Sequence, residues 1–453
     1  MSIKKLIPQS IINLYHKFVA IFAALIYFFP ARNLKVIGVT GTNGKTTTLN
    51  LIAKILEEQG ERVGMISTAV MKIGGKSWLN ETKMTSLNPF ALNQFLAKLR
   101  QQKIKYALLE VSSHALEQSR FWGVPFTVGI FTNLTPEHLD YHQDLTQYRK
   151  AKEKLFQKVA GLKSKESQQT LIINTDDKAA KFFNTYQANQ KYHYQIQKKN
   201  QPAAFPKSKN EDLLVAKKIK LEPQQTIFEL ETKEFQGIIK THLSGIFNLY
   251  NTLAAIACGL SQNIPLTTIQ KALQKIKGIP GRMETIKGPN NLTAIVDYAH
   301  TPEALSGIYQ TLKPLIKNRL IAILGACGDR DKTKRPKMGL IAAKSADLVI
   351  ITDEDPYTED SAKIRAEVIA GVIKGGKKEK QNFWEIPDRK EAIAFAIQKA
   401  RLNDLIIITG KGCEQWMVVG RKKIPWDDRK IVRKLLRGAS PQRGERRSNP
   451  VRT

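Results

Sequence analysis

The sequence predicts an α/β fold in two bodies, each a mainly parallel sheet flanked by helices. Three observations carry this. Short β-rich apolar runs alternate with helical stretches. One of those runs, KVIGV, passes through a glycine loop into an amphipathic stretch. After a pause the alternation restarts beyond Gly281. Such alternation builds parallel strands joined by crossover helices.

The chain opens on an apolar segment, residues 1–33. FVAIFAALIYFF (18–29) runs for twelve positions without a charge. A spanning helix needs about twenty apolar residues, and extending leftward to Ile11 brings in His16 and Lys17. A cleaved signal peptide ends in small residues, whereas Pro30-Ala31-Arg32 stands here. The segment reads as a helix lying against the protein body or on a membrane surface, with Lys4 and Lys5 beside anionic headgroups.

From Leu34 the order is strand (KVIGV), loop (GTNGK) and a helix, TTTLNLIAKILEEQG, ending at Gly60. YALLEV, TVGIFTNL and TLIINTD are further strands. Residues 185–240 carry a weaker helical signal, and NQKYHYQIQKKNQPAAF reads as loop and edge strands. After GIPGRMETI come four more strands: NLTAIVDYAH, RLIAILGACG, ADLVIITDED and DLIIITGKG. Each ends in polar or glycine residues, where sheets of this kind bind ligands. The predicted domains are 34–281 and 282–436, followed by a basic, disordered tail at 437–453.

Formal charge is +32, from 72 basic and 40 acidic residues. That favours anionic partners such as nucleotides, acidic substrates or lipid surfaces. No helix-turn-helix or RNA-binding signature accompanies it, so nucleic acid is not expected. Cys258, Cys327 and Cys413 stand far apart with no CxxC pair, which argues against zinc or a disulfide framework and fits a reducing cytoplasm.

Gly41, Thr42, Asn43, Gly44, Lys45, Thr46 and Thr47 offer backbone N–H groups, an ammonium and hydroxyls ahead of a helix. Phosphate needs these together: Lys45 would hold the β/γ-phosphates and the Thr46 hydroxyl a magnesium ion. The general GxxxxGK[ST] spacing would put glycine at position 39, which is Val39. Glu110 in EVSSHALEQSR and His138 in FTNLTPEHLDYH stand at the ends of the following runs, with Lys152 next in QYRKAKEKLF, and Glu and His converging with Thr46 on phosphate would make a magnesium site.

In order, GTNGKTT, EVSSHALEQSR, FTNLTPEHLDYH, YRKAKEKLF, GIPGRMETI, VDYAHTPEAL, GACGDRDKTKRP and GKGCE resemble the Mur ligase family, nearest its MurE type, over about residues 34–436. The resemblance implies a central P-loop-type domain and a C-terminal Rossmann-like domain. It implies ATP-dependent addition of the third amino acid to UDP-N-acetylmuramoyl-dipeptide in peptidoglycan synthesis, through an acyl phosphate and with a pair of magnesium ions. Thr46, Glu110, His138 and Lys152, the last as a carbamate, match the metal-site positions. Asn248, Arg282, Asp297 and His300 match positions facing ATP. Thr85, Ser112, Gln118 and Arg120 match positions contacting the muramoyl peptide, although Lys83-Met84 replaces the usual Asn-Thr.

Arg330, Gly410 and Glu414 match residues that grip the incoming amino acid, with Cys413 where the family has histidine. Where enzymes adding meso-diaminopimelate read DNPR, this chain reads Glu354-Asp355-Pro356-Tyr357. Tyrosine cannot make arginine's bidentate pair with a carboxylate. Two acids there favour a cationic side chain such as lysine or ornithine, which tilts the expectation slightly away from diaminopimelate.

Family members hold uridine diphosphate in an N-terminal domain, where this chain has about thirty mostly apolar residues. Either another protein then supplies recognition of a UDP-linked substrate, or the substrate is held by its muramoyl-peptide end alone, or it is lipid-linked, with residues 1–30 at the inner face of the membrane. Among rivals, an amidating ligase of the family lacks its four-cysteine zinc cluster here. A folate-type ligase is not expected to carry EVSSHALEQSR with GDRDKTKRP. Retention of Lys45, Glu110, His138 and Lys152 speaks against an inactive nucleotide-binding scaffold.

Overall fold

The computed structural model describes residues 9–82, 84–162, 168–198, 206, 208–222, 225–289 and 291–438. Lys4, Lys5, Lys83 and the tail beyond 438 lie outside the described residues. Contacts divide the chain into two units. The first runs to Arg282 and takes in Thr301–Leu315 and Arg330–Lys332; the second comprises Met283–His300, Ile316–Asp329 and Thr333 onward.

In the first unit, α1 (Gln9–Ile26) precedes β1 (Lys35–Thr40) and α2 (Lys45–Glu58). Then follow β2 (Val63–Ile66), β3 (Val70–Ile73), β4 (Lys76–Leu79), α3 (Pro89–Gln101), β5 (Tyr106–Glu110) and α4 (Ser113–Glu117). Next are β6 (Phe126–Phe131), α5 (Leu139–His142), α6 (Leu145–Ala160), β7 (Thr170–Asn174) and α7 (Ala180–Phe183). The unit continues with β8 (Gln190–Ile196), β9 (Glu211–Glu222), β10 (Gln225–Glu231), β11 (Gln236–Thr241), α8 (Ile246–Ser261) and α9 (Leu266–Lys275).

These eleven strands form one sheet ordered β11-β10-β9-β8-β7-β6-β1-β5-β2-β3-β4. β1 lies between β5 and β6, parallel to both, and its residues after Lys35 are buried. Such two-sided burial explains the unbroken apolar run KVIGV, since a strand covered on both faces has no polar side to show. Val39 pairs with Glu110 and Ile130 inside the sheet. The strand therefore occupies the position where the general motif has its first glycine.

The reading of 185–240 needs correction. β8 is an interior strand, parallel to β7 and β9, and only β9–β10–β11 forms an antiparallel meander at that edge. At the other edge, β3 and β4 extend antiparallel from β2.

The N-terminal helix packs on α3 through small side chains: Ala20, Ala23 and Ala24 are buried. Asn88 caps α3, its side chain accepting from the Ala91 N–H, with Pro89 in the first turn, a favourable combination.

The second unit begins with β12 (Glu284–Lys287) and β13 (Thr293–Val296). Between β13 and the next strand lies α10 (Pro302–Leu312), which groups with the first unit. β14 (Leu320–Leu324), α11 (Lys334–Ser345), β15 (Leu348–Ile351), α12 (Ser361–Lys374), β16 (Phe383–Glu385) and α13 (Arg389–Lys399) follow. β17 (Leu405–Ile408), the hairpin β18 (Trp416–Val419) and β19 (Lys422–Pro425), and α14 (Asp428–Gly438) complete it. The sheet order is β12-β13-β17-β14-β15-β16, parallel except at β12. Below it, buried Arg389 makes a bidentate pair with Asp428 at 2.9 and 2.8 Å and donates to the Thr409 carbonyl at 2.7 Å.

Candidate active site

Around the loop after β1, backbone and side chains lock one another. Gly44 sits at φ 87°, and a Cβ there would lie 2.2 Å from Asn251 Oδ1, so the turn into α2 requires glycine. Asn133 clamps the loop from the end of β6: its Oδ1 accepts from the Asn43 N–H at 2.9 Å and its Nδ2 donates to the Asn43 carbonyl at 3.0 Å. Thr132 Oγ1 donates to the same carbonyl at 2.7 Å, and Thr42 exchanges hydrogen bonds with the Thr135 backbone. Thr132, Asn133 and Thr135 lie in the quoted FTNLTPEH, yet sequence reading gave them no role.

Lys45 curls back so that Nζ donates to the carbonyls of Gly41, at 3.0 Å, and Thr42, at 2.7 Å. A second ammonium meets the same loop: Lys152 on α6, 1% exposed, donates to the Gly41 carbonyl at 2.7 Å and lies 4.3 Å from the Tyr148 ring centroid. Burial first, and then Lys45, hold the Lys152 ammonium well below the usual lysine range, with Glu137 opposing. A lysine kept so far from its ordinary basicity reaches its neutral, nucleophilic form readily.

On the other side, Thr46 Oγ1 donates to Glu110 Oε2 at 2.9 Å, and Arg282 Nη2 donates to Thr46 Oγ1 at 3.1 Å. Thr68 completes the grip on Glu110: its N–H donates to Oε2 at 2.7 Å and its hydroxyl to Oε1 at 2.9 Å. These hydroxyl and carboxylate oxygens are hard donors that suit magnesium. Among the described residues no three His, Cys, Asp or Glu side chains gather as a metal cage. The Thr46 hydroxyl and Glu110 carboxylate fit a magnesium ion.

His138, at φ 57°, packs its ring edge-on to His114 at 4.7 Å and 6.2 Å from Tyr148, whose hydroxyl is 3.4 Å from Thr42 Oγ1. Burial, with His138, His142, Arg120 and Lys152 near, pushes the His114 imidazole down to about 3. His142 Nε2 pairs with Ser113 Oγ at 2.9 Å.

The residues expected to touch the acidic substrate form one polar strip. Thr85 Oγ1 lies 3.1 Å from Thr68 Oγ1, and Ser112, which caps α4, lies 3.1 Å from the hydroxyl of Ser86. Ser86 donates to the Glu110 carbonyl at 2.8 Å. Arg120 donates from Nε and Nη2 to Gln118 Oε1 at 2.9 and 2.6 Å and from Nη1 to the Ser86 carbonyl at 2.8 Å. Thr42, Thr46 and Thr47 are all buried. Asn248 donates to the Ser244 carbonyl at 2.8 Å; Asn251, the next turn along α8, is the one facing Gly44.

In the second unit, Asp297 accepts from the N–H groups of Met283 and Ala299, each at 2.7 Å, and His300 Nδ1 pairs with the Tyr298 carbonyl at 2.8 Å. Arg330 is exposed and groups with the first unit. Lys411, missed in sequence although it lies within GKGCE, is the hub here. Fully buried, it donates to both Asp355 oxygens at 2.9 Å and to Glu414 at 2.6 Å. Against the cost of burial, Glu414 and Asp355 hold its ammonium above the ordinary range.

The expected pull of two free acids on a cation is thereby corrected, because the Asp355 carboxylate is neutralised by Lys411. Glu354 differs. It is 3% exposed, Oε1 accepts from Cys327 Sγ at 2.9 Å, and among the described residues Oε2 has no hydrogen-bond partner. Oε2 faces Gly410, where a Cβ would lie 2.3 Å away. Tyr357 is held by backbone bonds to the Val418 carbonyl and the Gly420 N–H, and Pro356 accepts from the Glu359 N–H. The thiol of Cys327 is pushed well above its usual range by burial and then by Glu354 and Asp355.

The chain resembles known proteins in sequence and in fold. Residues 39–259 match the Mur ligase middle domain and 281–412 the Mur ligase glutamate ligase domain. A UDP-N-acetylmuramoyl-L-alanyl-D-glutamate–2,6-diaminopimelate ligase of Syntrophomonas wolfei is 39% identical over 92% of this chain and 81% of its own. The ligase of that name from Bacillus cereus is 36% identical over 95% and 84%. A solved structure of such a ligase superposes with TM-score 0.60 at 30% identity, covering 93% of this chain and 82% of that one. Mycobacterium tuberculosis folylpolyglutamate synthase shares the fold alone, with TM-score 0.68 at 15% identity over 87% and 92%. By its two matched domains and by these identities, the chain belongs to the Mur ligase family.

Proposed function

We propose that the protein is an ATP-dependent acid–amino-acid ligase of the MurE type, acting in peptidoglycan precursor synthesis. The muramoyl-dipeptide carboxylate takes the γ-phosphoryl group of ATP, releasing ADP. The amine of the incoming amino acid then attacks the acyl phosphate, the C–O bond to phosphate breaks, and the amine sheds a proton as the amide forms. A carboxylate is a poor electrophile because its leaving group would be oxide, and phosphorylation supplies a stable one.

The observation that carries this reading is that Lys45 and the buried Lys152 meet at the Gly41 carbonyl while Thr46, Glu110 and Arg282 join on the other side of the loop. Two anions must be brought together here, and the cations Lys45 and Arg282 with the loop's donors offset their repulsion. Lys45 would turn from the loop carbonyls to the phosphates. Thr46 and Glu110 would hold one magnesium ion, and His138 with a carbamylated Lys152 would serve another; bound there, the metal neutralises charge on the transferring phosphoryl group. Carbamate formation needs a neutral amine, which burial of Lys152 favours.

Residues 34–281 serve as the ATP-binding domain and 282–436 as the amino-acid domain, with Asn248, Arg282, Asp297 and His300 toward the nucleotide. Thr85, Ser112, Gln118 and Arg120 receive the muramoyl peptide. Arg330, Gly410, Glu414 and the 354–357 segment receive the amino acid, a diamino acid whose ammonium is met by Glu354 Oε2. Neutralisation of Asp355 weakens the case for a purely cationic side chain. The related ligases named for 2,6-diaminopimelate make that amino acid the first choice, ahead of lysine and ornithine. The acceptor is UDP-linked, with a lipid-linked form as the alternative. The site of action is cytoplasmic, at the inner face of a membrane that residues 1–30 touch.

The test is ATP-dependent phosphate release by purified protein with UDP-N-acetylmuramoyl-L-alanyl-D-glutamate and each amino acid in turn, with the product identified by mass. Release with a diamino acid is expected. Absence of release with every pair would remove the reading.

A further inference from the structure

We propose that the outward face of α1 docks on an anionic membrane surface. This sharpens the membrane part of the reading above and does not rest on the ligase chemistry. An amphipathic helix ordinarily turns its bulky apolar side chains inward; α1 does the reverse. Its alanines face the protein, whereas Ile11, Leu14, Tyr15, Phe18, Phe22 and Leu25 are each more than half exposed. At 3.6 residues per turn these six fall within about one-third of the helix circumference, opposite the alanines. Phe22 meets the half-exposed Phe90 of α3 edge-on at 6.3 Å, carrying the patch onto the second helix.

Beyond α1 the chain turns through two consecutive left-handed residues, Phe28 at φ 51° and Phe29 at φ 48°. The turn sends the rings apart. Phe29 packs inward on Trp122 at 6.0 Å, while Phe28 is 79% exposed. Arg100 of α3 donates to the Phe28 carbonyl at 3.3 Å, fixing the turn.

Charge selects the occupant. No aspartate or glutamate occurs before Glu57, and none between Thr82 and Leu109, so neither α1 nor α3 carries an acid. The exposed cations here are Lys17, Arg32, Lys98, Arg100 and Lys103. A second copy pairing through this face would set like charge against like. A bilayer with anionic headgroups accepts both features, taking the rings into its interfacial layer and the cations at the phosphates. Among the described residues no helix is long and apolar enough to cross a membrane, so the helix would lie along the surface.

The experiment is flotation of the full chain with vesicles of phosphatidylglycerol in phosphatidylethanolamine, compared with phosphatidylcholine alone. Binding to the anionic vesicles, weakening as salt is raised, is expected, with a loss of about tenfold in the Phe18→Ser/Phe22→Ser double variant. The Lys17→Glu/Arg100→Glu variant should lose the preference for anionic lipid. Because the mutated rings are exposed, the circular dichroism spectrum and phosphate release on the water-soluble substrate should be unchanged, which separates this proposal from the ligase reading. Three outcomes would overturn it: no binding to anionic vesicles, equal binding by the ring variant, or self-association of the native chain that the ring variant abolishes.

Discussion

The hydroxyl of Thr46 donates to the carboxylate of Glu110 across 2.9 Å, joining the first turn of α2 to the end of β5. Glu110 is 2% exposed, and Thr68 supplies its other bonds. Replacing Glu110 by Gln keeps the shape but removes the charge offered to a cation. Turnover should fall by about a hundredfold or more, with nucleotide binding measured without magnesium little changed. Steady-state phosphate release and calorimetric titration of ADP check this.

Lys152→Ala removes a buried amine at the Gly41 carbonyl, and Lys152→Arg keeps a charge that cannot form a carbamate. Both should lower turnover by about a hundredfold or more. Depleting carbon dioxide should slow the native enzyme, and bicarbonate should restore it. Native turnover indifferent to bicarbonate, with no carbon dioxide adduct on Lys152 by mass spectrometry, would contradict the assignment.

Arg389 and Asp428 form a fully buried bidentate pair. Arg389→Met leaves the carboxylate uncompensated and should cost about 3–5 kcal/mol of stability, seen as a lower midpoint of urea unfolding. The double variant Arg389→Met/Asp428→Leu should recover much of that loss.

His114 is held neutral, its imidazole at about 3 against an ordinary 6.5. Between those values the unfolded chain binds a proton that the fold refuses, so stability rises with pH across the window and falls as acid is added. His114→Asn should flatten that acid-side slope when urea midpoints are compared between pH 6.5 and pH 4. An unchanged slope would show that other groups set it.

Strands buried on both faces were legible because such burial demands uninterrupted apolar runs; KVIGV, LIAIL and LIII announce themselves. The β9–β11 meander was harder to read, because strands with one wet face alternate and carry charge, as EDLLVAKKIKLE does. Within the site, loop, carboxylate and lysine could be found from residue type and order. Lys411 could not: between two glycines it resembles a surface lysine, and its partner Asp355 lies 56 residues away. That Asn251 faces Gly44 likewise depends on which face of α8 meets the loop, a matter of packing.

Both margins of the large sheet end in antiparallel ribbons, β3–β4 on one side and β9–β11 on the other, while β1 stands well inside. Each ribbon is a chain doubling back on itself, so residues gained or lost at its tip leave the alignment of inner strands untouched. Homologous chains can therefore diverge in length at these rims while the loop after β1 keeps its dimensions, and the turn between β10 and β11 is a place where a reporter peptide could be spliced in without silencing the enzyme.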